Sequence, residues 1–387
     1  MTGCGNINNN SADVSTTIDT SETTTAEEQT SISLTAGIRH NDNFNGIDIK
    51  IGYDAMILSG FTFGDSVDIT LSNGKSYTGI PYYDGYHCRS GELAFVLYPG
   101  YEYPHFTCNG GADIWETDGL SDDLTATVTL NEKGKYLSIE NALSLTYQNN
   151  RGAYETDEEF ANFRAVSCGD LHENCLYRSA SPCNNEYNRA SYVDSLLGSA
   201  GVNYILNLAD NDDEIAGYMA EDDFDSPNFL ELYNTGRVGT IDLTFSFKDP
   251  EYAKLIVDGL REMIQYDPPY LFHCTEGKDR TGLLAIILEA LCGASYEEMK
   301  QDYMETYENY YGVTEERNPG TYAAIVEIKF NDLIDYLITL ANDNLSDSVS
   351  YDEVNFKACA IYYLLQGGMT EDELNTLCSR LCTVYGG

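Results

Sequence analysis

The chain has 387 residues, 42% hydrophobic and 22% charged, which excludes wholesale disorder and suffices for two domains with separate cores. Asp and Glu number 63 against 21 Lys and Arg, a formal net charge of −42. Such a field repels nucleic acids and anionic headgroups, the basic residues are scattered, and no apolar run nears the roughly 20 residues that span a bilayer. Neither a nucleic-acid partner nor a transmembrane segment is expected.

Thr2-Gly3-Cys4 with a polar Ser/Thr/Asn-rich stretch behind it is similar to the end of a bacterial lipoprotein signal. That implies an extracytoplasmic protein, secreted or lipid-anchored at the cell surface through Cys4. Residues 5 to about 31 hold almost no large apolar side chains, so residues 1–31 read as a disordered tether. From 32 to 150 the pattern is strand-like. Val67–Leu71 alternates, Ser72-Asn73-Gly74-Lys75 supplies a turn and Ser76–Ile80 returns, a hairpin signal. Leu93–Tyr98, Ala126–Leu130 and Tyr136–Ile139 read as further strands, giving a small all-β barrel or sandwich. Its many tyrosines and Trp115 fit strand packing, or a groove for a glycan or protein ligand.

Residues 155–387 differ in character. Ser191–Ser199 reads as a helix, Val202–Leu208 as a buried strand and 209–214 as a polar loop. Tyr252–Ile264 has helical periodicity, Pro269–His273 is a short apolar strand and Thr281–Leu291 a long apolar helix. Helices follow over 295–311, 321–342, 351–366 and 370–384, with Gly367-Gly368 as a stop. The fold class expected is α/β, a mostly parallel central sheet flanked by helices with a helical C-terminal part.

The decisive segment joins that strand to that helix: His273-Cys274-Thr275-Glu276-Gly277-Lys278-Asp279-Arg280-Thr281. A loop entering a helix N-terminus aims several backbone amides inward as an anion cradle. The positive helix end favours the thiolate of Cys274. Arg280 is placed to return its planar fork to the cradle and clamp two phosphoryl oxygens. Gly277 permits the tight backbone path, Thr281 offers a hydroxyl to the sulfur, and His273 can bind the Cys274 backbone through its ring. Thr275, Glu276 and Lys278 complete the phosphate-binding loop, with Arg178 as a buttress or structural ion-pair partner.

This segment resembles the Cys-x5-Arg signature of protein tyrosine phosphatases, in the form found in bacterial secreted tyrosine/dual-specificity phosphatases, some of which accept phosphoinositides. Asn162-Phe163-Arg164, Leu176-Tyr177-Arg178-Ser179, the strand ending in Asn207-Leu208, Ala294–Glu298 and Asp302–Tyr311 are similar to other motifs of that family over about 155–387. Where the family often has Asp-Leu-Arg, this chain has Asn207-Leu208-Ala209. The resemblance implies a phosphomonoesterase working through a phosphocysteine on Cys274, without metal or other cofactor, on a phosphorylated protein or small phosphomonoester. No Trp-Pro-Asp tripeptide is present. The family likeness therefore points to Asp279 as general acid and base, with Asp210 and Asp242 as alternates. Two other readings stand beside it: an inositol-phosphate or phosphoinositide phosphatase, and a catalytically weak surface binding protein.

Eleven cysteines suit an oxidising compartment. With Cys4 and Cys274 set aside, Cys292 in its apolar helical run is the candidate to remain unpaired, and the rest suffice for four bridges. Cys168-x3-His172-x2-Cys175 also has spacing compatible with zinc.

Overall fold

The computed structural model describes residues 32–244, 246–341 and 350–383. Cys4 and the expected 1–31 tether lie outside them. Two compact units meet in the chain between Ser144 and Leu145.

The first unit runs β1 (Ser33–Asn41), β2 (Gly46–Ile49), α1 (Tyr53–Leu58), β3 (Ser66–Leu71), β4 (Ser76–Tyr83), β5 (Leu93–Val96), β6 (His105–Cys108), α2 (Ile114–Asp118), β7 (Thr125–Glu132) and α3 (Leu137–Leu143). Its seven strands close into a barrel in the order β1-β2-β6-β5-β4-β3-β7. Every pairing is antiparallel except β4 with β5. Alternation fills the interior: Val67, Ile69 and Leu71 of β3 are buried with Ile38, Phe95, Phe106 and Val128. The β3–β4 hairpin turns at Gly74, whose φ of +91° suits a residue without Cβ. The Trp115 ring stacks on His40 with centroids 5.0 Å apart. Tyr136–Ile139, expected as a strand, instead opens α3. Glu140 and Leu143 are its buried residues, three apart, a spacing that a short apolar run does not separate from a strand.

The second unit runs α4 (Asp157–Ala161), β8 (Arg164–Ala165), β9 (Leu176–Ser179), α5 (Ala190–Ala200), β10 (Tyr204–Asn207), α6 (Asp212–Met219), α7 (Pro227–Asn234), β11 (Val238–Thr240), α8 (Pro250–Met263) and β12 (Tyr270–His273). Helices follow: α9 (Asp279–Leu291), α10 (Tyr296–Tyr311), α11 (Pro319–Ile325), a π-helical turn over Val326–Phe330, α12 (Asn331–Ala341), α13 (Phe356–Gln366) and α14 (Glu371–Leu381). The five-stranded sheet has the order β11-β10-β12-β9-β8, parallel but for the antiparallel edge strand β8. Asn207, His273 and Ser179 are register partners, so β10, β12 and β9 end side by side and their following loops share one sheet edge. In open parallel sheets that edge is where ligands bind. The 209–214 segment, expected as a loop, leads into α6. Asn211 accepts from the Glu214 amide and Glu214 reaches back, a capping box that starts the helix. From Thr281 to Leu291 α9 is buried on every side, as its unbroken apolar run requires.

The cysteine expectation needs correction. Cys292, at the end of α9, is bridged to Cys382 at the end of α14, with Cα atoms 5.5 Å apart. Cys168, Cys175, Cys183, Cys359 and Cys378 carry free thiols, so four bridges do not form. The Cys168–His172–Cys175 spacing gathers no metal site among the described residues. The Cys168 thiol faces the Glu298 carbonyl at 3.7 Å and the Cys175 thiol the Leu381 carbonyl at 3.8 Å. Among the described residues no helix is long and apolar enough to cross a membrane.

Candidate active site

Cys274 follows β12 directly and is buried. The loop 275–278 then leads into α9, whose N-cap is Lys278 with no side-chain capping bond. Among the described residues the amides of Thr275, Glu276, Gly277 and Lys278 have no hydrogen-bond acceptor. Four adjacent donors at a helix start, in a site tied to the protein interior, are orphans of the kind an oxyanion satisfies.

The carbonyls explain how the loop holds this shape. The Glu276 carbonyl accepts from Asn162 Nδ2 at 3.1 Å and from the Tyr310 hydroxyl at 2.8 Å. The Gly277 carbonyl accepts from Arg178 Nη2 at 2.9 Å and more weakly from Asn162 at 3.4 Å. In a trans peptide the N–H points away from its carbonyl. Anchoring these two carbonyls therefore directs the amides of Gly277 and Lys278 to the opposite side of the loop. Gly277 itself has φ +70°, and a Cβ there would collide with the Ser179 carbonyl, so only glycine fits.

Behind the anchors lies a buried charge network. Arg178 is fully buried and pairs with Asp302, which also accepts from Arg164 Nε at 2.7 Å. Arg164 further donates to Asn162 Oδ1 at 2.8 Å, and Asn309 Nδ2 reaches the same oxygen at 3.1 Å. Burial alone would raise the Asp302 carboxyl, but Arg164 and Arg178 outweigh it and hold it below the ordinary carboxylate range. Glu289, buried nearby, is pushed well upward by burial and then by the Asp302 charge, so it is held protonated.

His273 is fully buried, and burial pushes its imidazole down to about 4. The neutral ring sits with Nδ1 3.2 Å from the Cys274 carbonyl, so the proton is on Nδ1 and donates there. Arg280 is steered from three loops: Nη1 donates to the carbonyls of Leu243 at 3.2 Å and Ala209 at 3.4 Å, and Nη2 to Thr275 Oγ1 at 3.2 Å. Thr281 is buried, one turn into the same helix. Asp279 is half exposed at the loop's rim, 3.8 Å from Lys278 Nζ. Asp210 is buried and accepts from Asn207 Nδ2 at 3.0 Å and the Tyr218 hydroxyl at 3.2 Å, whereas Asp242 is exposed beside Asn211. Of the three carboxylates, Asp279 alone adjoins the loop, as the first residue of α9.

Lys278 and Glu276 form a second cluster. Lys278 Nζ is 2.6 Å from Glu276 Oε2 and 3.2 Å from the Tyr311 hydroxyl, and it lies over the Tyr147 and Tyr311 rings. The Tyr147 hydroxyl donates to the other Glu276 oxygen at 2.8 Å. The sequence motifs that contain Asn162 and Asp302–Tyr311 carry no assigned role, and Tyr147 lies outside them. Buried polar residues in otherwise apolar stretches, such as Asn309 and Asp302 on α10, were the available signal.

Residues 239–383, which contain this loop, match the model of the tyrosine phosphatase family. Among solved structures, P. aeruginosa TpbA in complex with pTyr shows 19% identity and P. aeruginosa TpbA alone 20%; the core catalytic domain of the PP-IP phosphatase SIW14 from S. cerevisiae, in complex with citrate, shows 19%. Each covers 46% of this chain and 96% of its own, with a TM-score of 0.25. No curated protein matches the chain. The stretch that is similar to the tyrosine phosphatase family carries the loop with its cysteine and arginine.

Proposed function

We propose that the second unit hydrolyses phosphomonoesters of the phosphotyrosine type through a phosphocysteine on Cys274. The observation that carries this is the run of four amides, 275–278, unpaired among the described residues, beside a buried cysteine and an arginine tethered at its cationic end. The phosphoryl group docks its non-bridging oxygens on the amides and the Arg280 fork. The Cys274 thiolate attacks phosphorus, the P–O bond to the leaving group breaks, and Asp279 delivers a proton to the departing oxygen. Water then attacks the phosphocysteine, Asp279 takes its proton, and the P–S bond breaks to release phosphate and regenerate the thiolate. His273 fixes the Cys274 peptide, and the Thr281 hydroxyl supports the sulfur as it becomes the leaving group.

The test is turnover of p-nitrophenyl phosphate under reducing conditions, by wild type and by Cys274→Ser. Wild type is expected to release phosphate, and the serine variant to release none while still binding inorganic phosphate. A wild type without turnover, or a serine variant with wild-type turnover, refutes the reading.

A further inference from the structure

Resting on the phosphatase reading above, we infer that Glu276 is a specificity residue: it neutralises Lys278 and so restricts the site to substrates with a single phosphoryl group. Residues 273–282 hold two cations, Lys278 and Arg280, and two carboxylates, Glu276 and Asp279. Lys278 does not extend toward a guest. Its ammonium lies 2.6 Å from Glu276, with the lysine side chain 12% and the glutamate side chain 17% exposed. The second Glu276 oxygen is held by Tyr147, and the ammonium is enclosed by Tyr147 and Tyr311. Four separate contacts thus fix the pair in place. Of the other nearby cations, Arg178 and Arg164 are paired with Asp302 behind the loop.

The consequence is electrostatic. One phosphoryl dianion meets the unpaired amides and Arg280, which suffice. A second phosphoryl group on the same molecule meets a neutral ion pair at the loop, on a chain with a net charge of −42. Polyphosphorylated rings require additional cations around the first site to offset their repulsion. Tyr147, stacked on Tyr187 at 5.1 Å, offers instead a half-buried aromatic surface beside the loop, suited to a phenyl ring. The substrate class is therefore an aryl monophosphate, with inositol polyphosphates disfavoured.

The experiment compares kcat/KM for inositol hexakisphosphate with that for a phosphotyrosine peptide, in full-length wild type, Glu276→Gln and the double variant Glu276→Gln/Lys278→Gln. Wild type should favour the peptide. Glu276→Gln removes the carboxylate at 2.6 Å, leaves Lys278 only the looser Asp279 contact at 3.8 Å, and should raise the hexakisphosphate-to-peptide ratio about tenfold, a gain that shrinks as salt is added. The double variant replaces one neutral pair by another and should return the ratio to within about twofold of wild type. That comparison also decides the matter if Glu276→Gln alone fails to fold. A wild type that favours the hexakisphosphate, a Glu276→Gln ratio that does not rise, or a double variant whose ratio falls about tenfold overturns the inference while leaving a phosphatase in place. A wild type that cleaves neither compound removes the phosphatase reading, and the inference with it.

Discussion

Replacing Asp302 by alanine tests the buried network behind the loop. The carboxylate bonds two buried guanidinium groups, and the two are not equally exposed to its loss. Arg164 keeps the Asp302 carbonyl at 2.7 Å, Thr306 Oγ1 at 3.0 Å and Asn162 Oδ1 at 2.8 Å. Arg178 keeps only the Gly277 carbonyl, and its Nε already has no partner among the described residues. Removing one partner of a buried ion pair costs about 3–5 kcal/mol, because a charge stays buried without compensation. Asp302→Ala should show a loss in that range, dominated by Arg178, out of a total of roughly 5–15 kcal/mol for a typical domain. Urea unfolding measures it as a lower midpoint at unchanged slope. Asp302→Asn, which keeps one acceptor oxygen, should lose less. The same variants should weaken inorganic phosphate binding, since an Arg178 without Asp302 has the Gly277 carbonyl as its one remaining hydrogen-bond anchor among the described residues and holds it less firmly. A stability loss under about 1 kcal/mol would mean that the guanidinium groups are solvated or otherwise paired, and the buttress account would fail.

Asp279→Asn should slow alkyl phosphates more than p-nitrophenyl phosphate, whose leaving group needs little protonation; equal slowing in steady-state rates moves the acid to another residue. Glu289 has its native pKa raised above the unfolded value of about 4.5, so its favourable contribution is complete below that pH and is lost as pH rises toward the native value. Glu289→Gln should therefore gain on wild type in urea midpoints between about pH 5 and 8, and a constant difference across that range contradicts the assignment. Cys292→Ser opens a bridge spanning 90 residues and should cost about 2–5 kcal/mol, read as a lower midpoint that added reductant does not lower further. Because the chain carries −42, salt should screen its repulsion of an anionic phosphopeptide and raise kcat/KM at low ionic strength; a steady fall with salt would show long-range attraction instead.

The elements legible in the sequence were those whose pattern is set locally. The β3–β4 hairpin announces itself through Asn73-Gly74 between alternating runs, and α9 through an apolar stretch that ends in Gly293. Misread elements depended on less conspicuous or distant determinants. Asn211 and Glu214 form a capping box that identifies α6, but their acidic neighbours make the segment look like a loop. Cys292 sits among apolar side chains and reads as an inert thiol. Its partner is fixed by where α14 ends, 90 residues later, and no spacing rule encodes that. Barrel closure likewise depends on β1 pairing with β7 across most of the first unit.

The site divides along the same line. Cys274, Gly277 and Arg280 of the proposed site stand out in the sequence because the phosphate cradle proposed for them needs a nucleophile, a turn and a clamp within one short loop. Of their supports, Arg178 is legible as a buttress or ion-pair partner, whereas Asn162 and Tyr310 are not, since they come from distant segments and act by holding carbonyls, a job that many polar residue types can do. Lys278 shows why side-chain identity alone misleads. On a phosphate-binding loop a lysine reads as a contact for anions, yet Glu276 two residues earlier turns it into half of a neutral pair. What the loop offers a substrate is then set by directed backbone amides and one guanidinium. Those donors act over hydrogen-bond distances, so an otherwise strongly acidic protein can hold a dianion that its overall field repels.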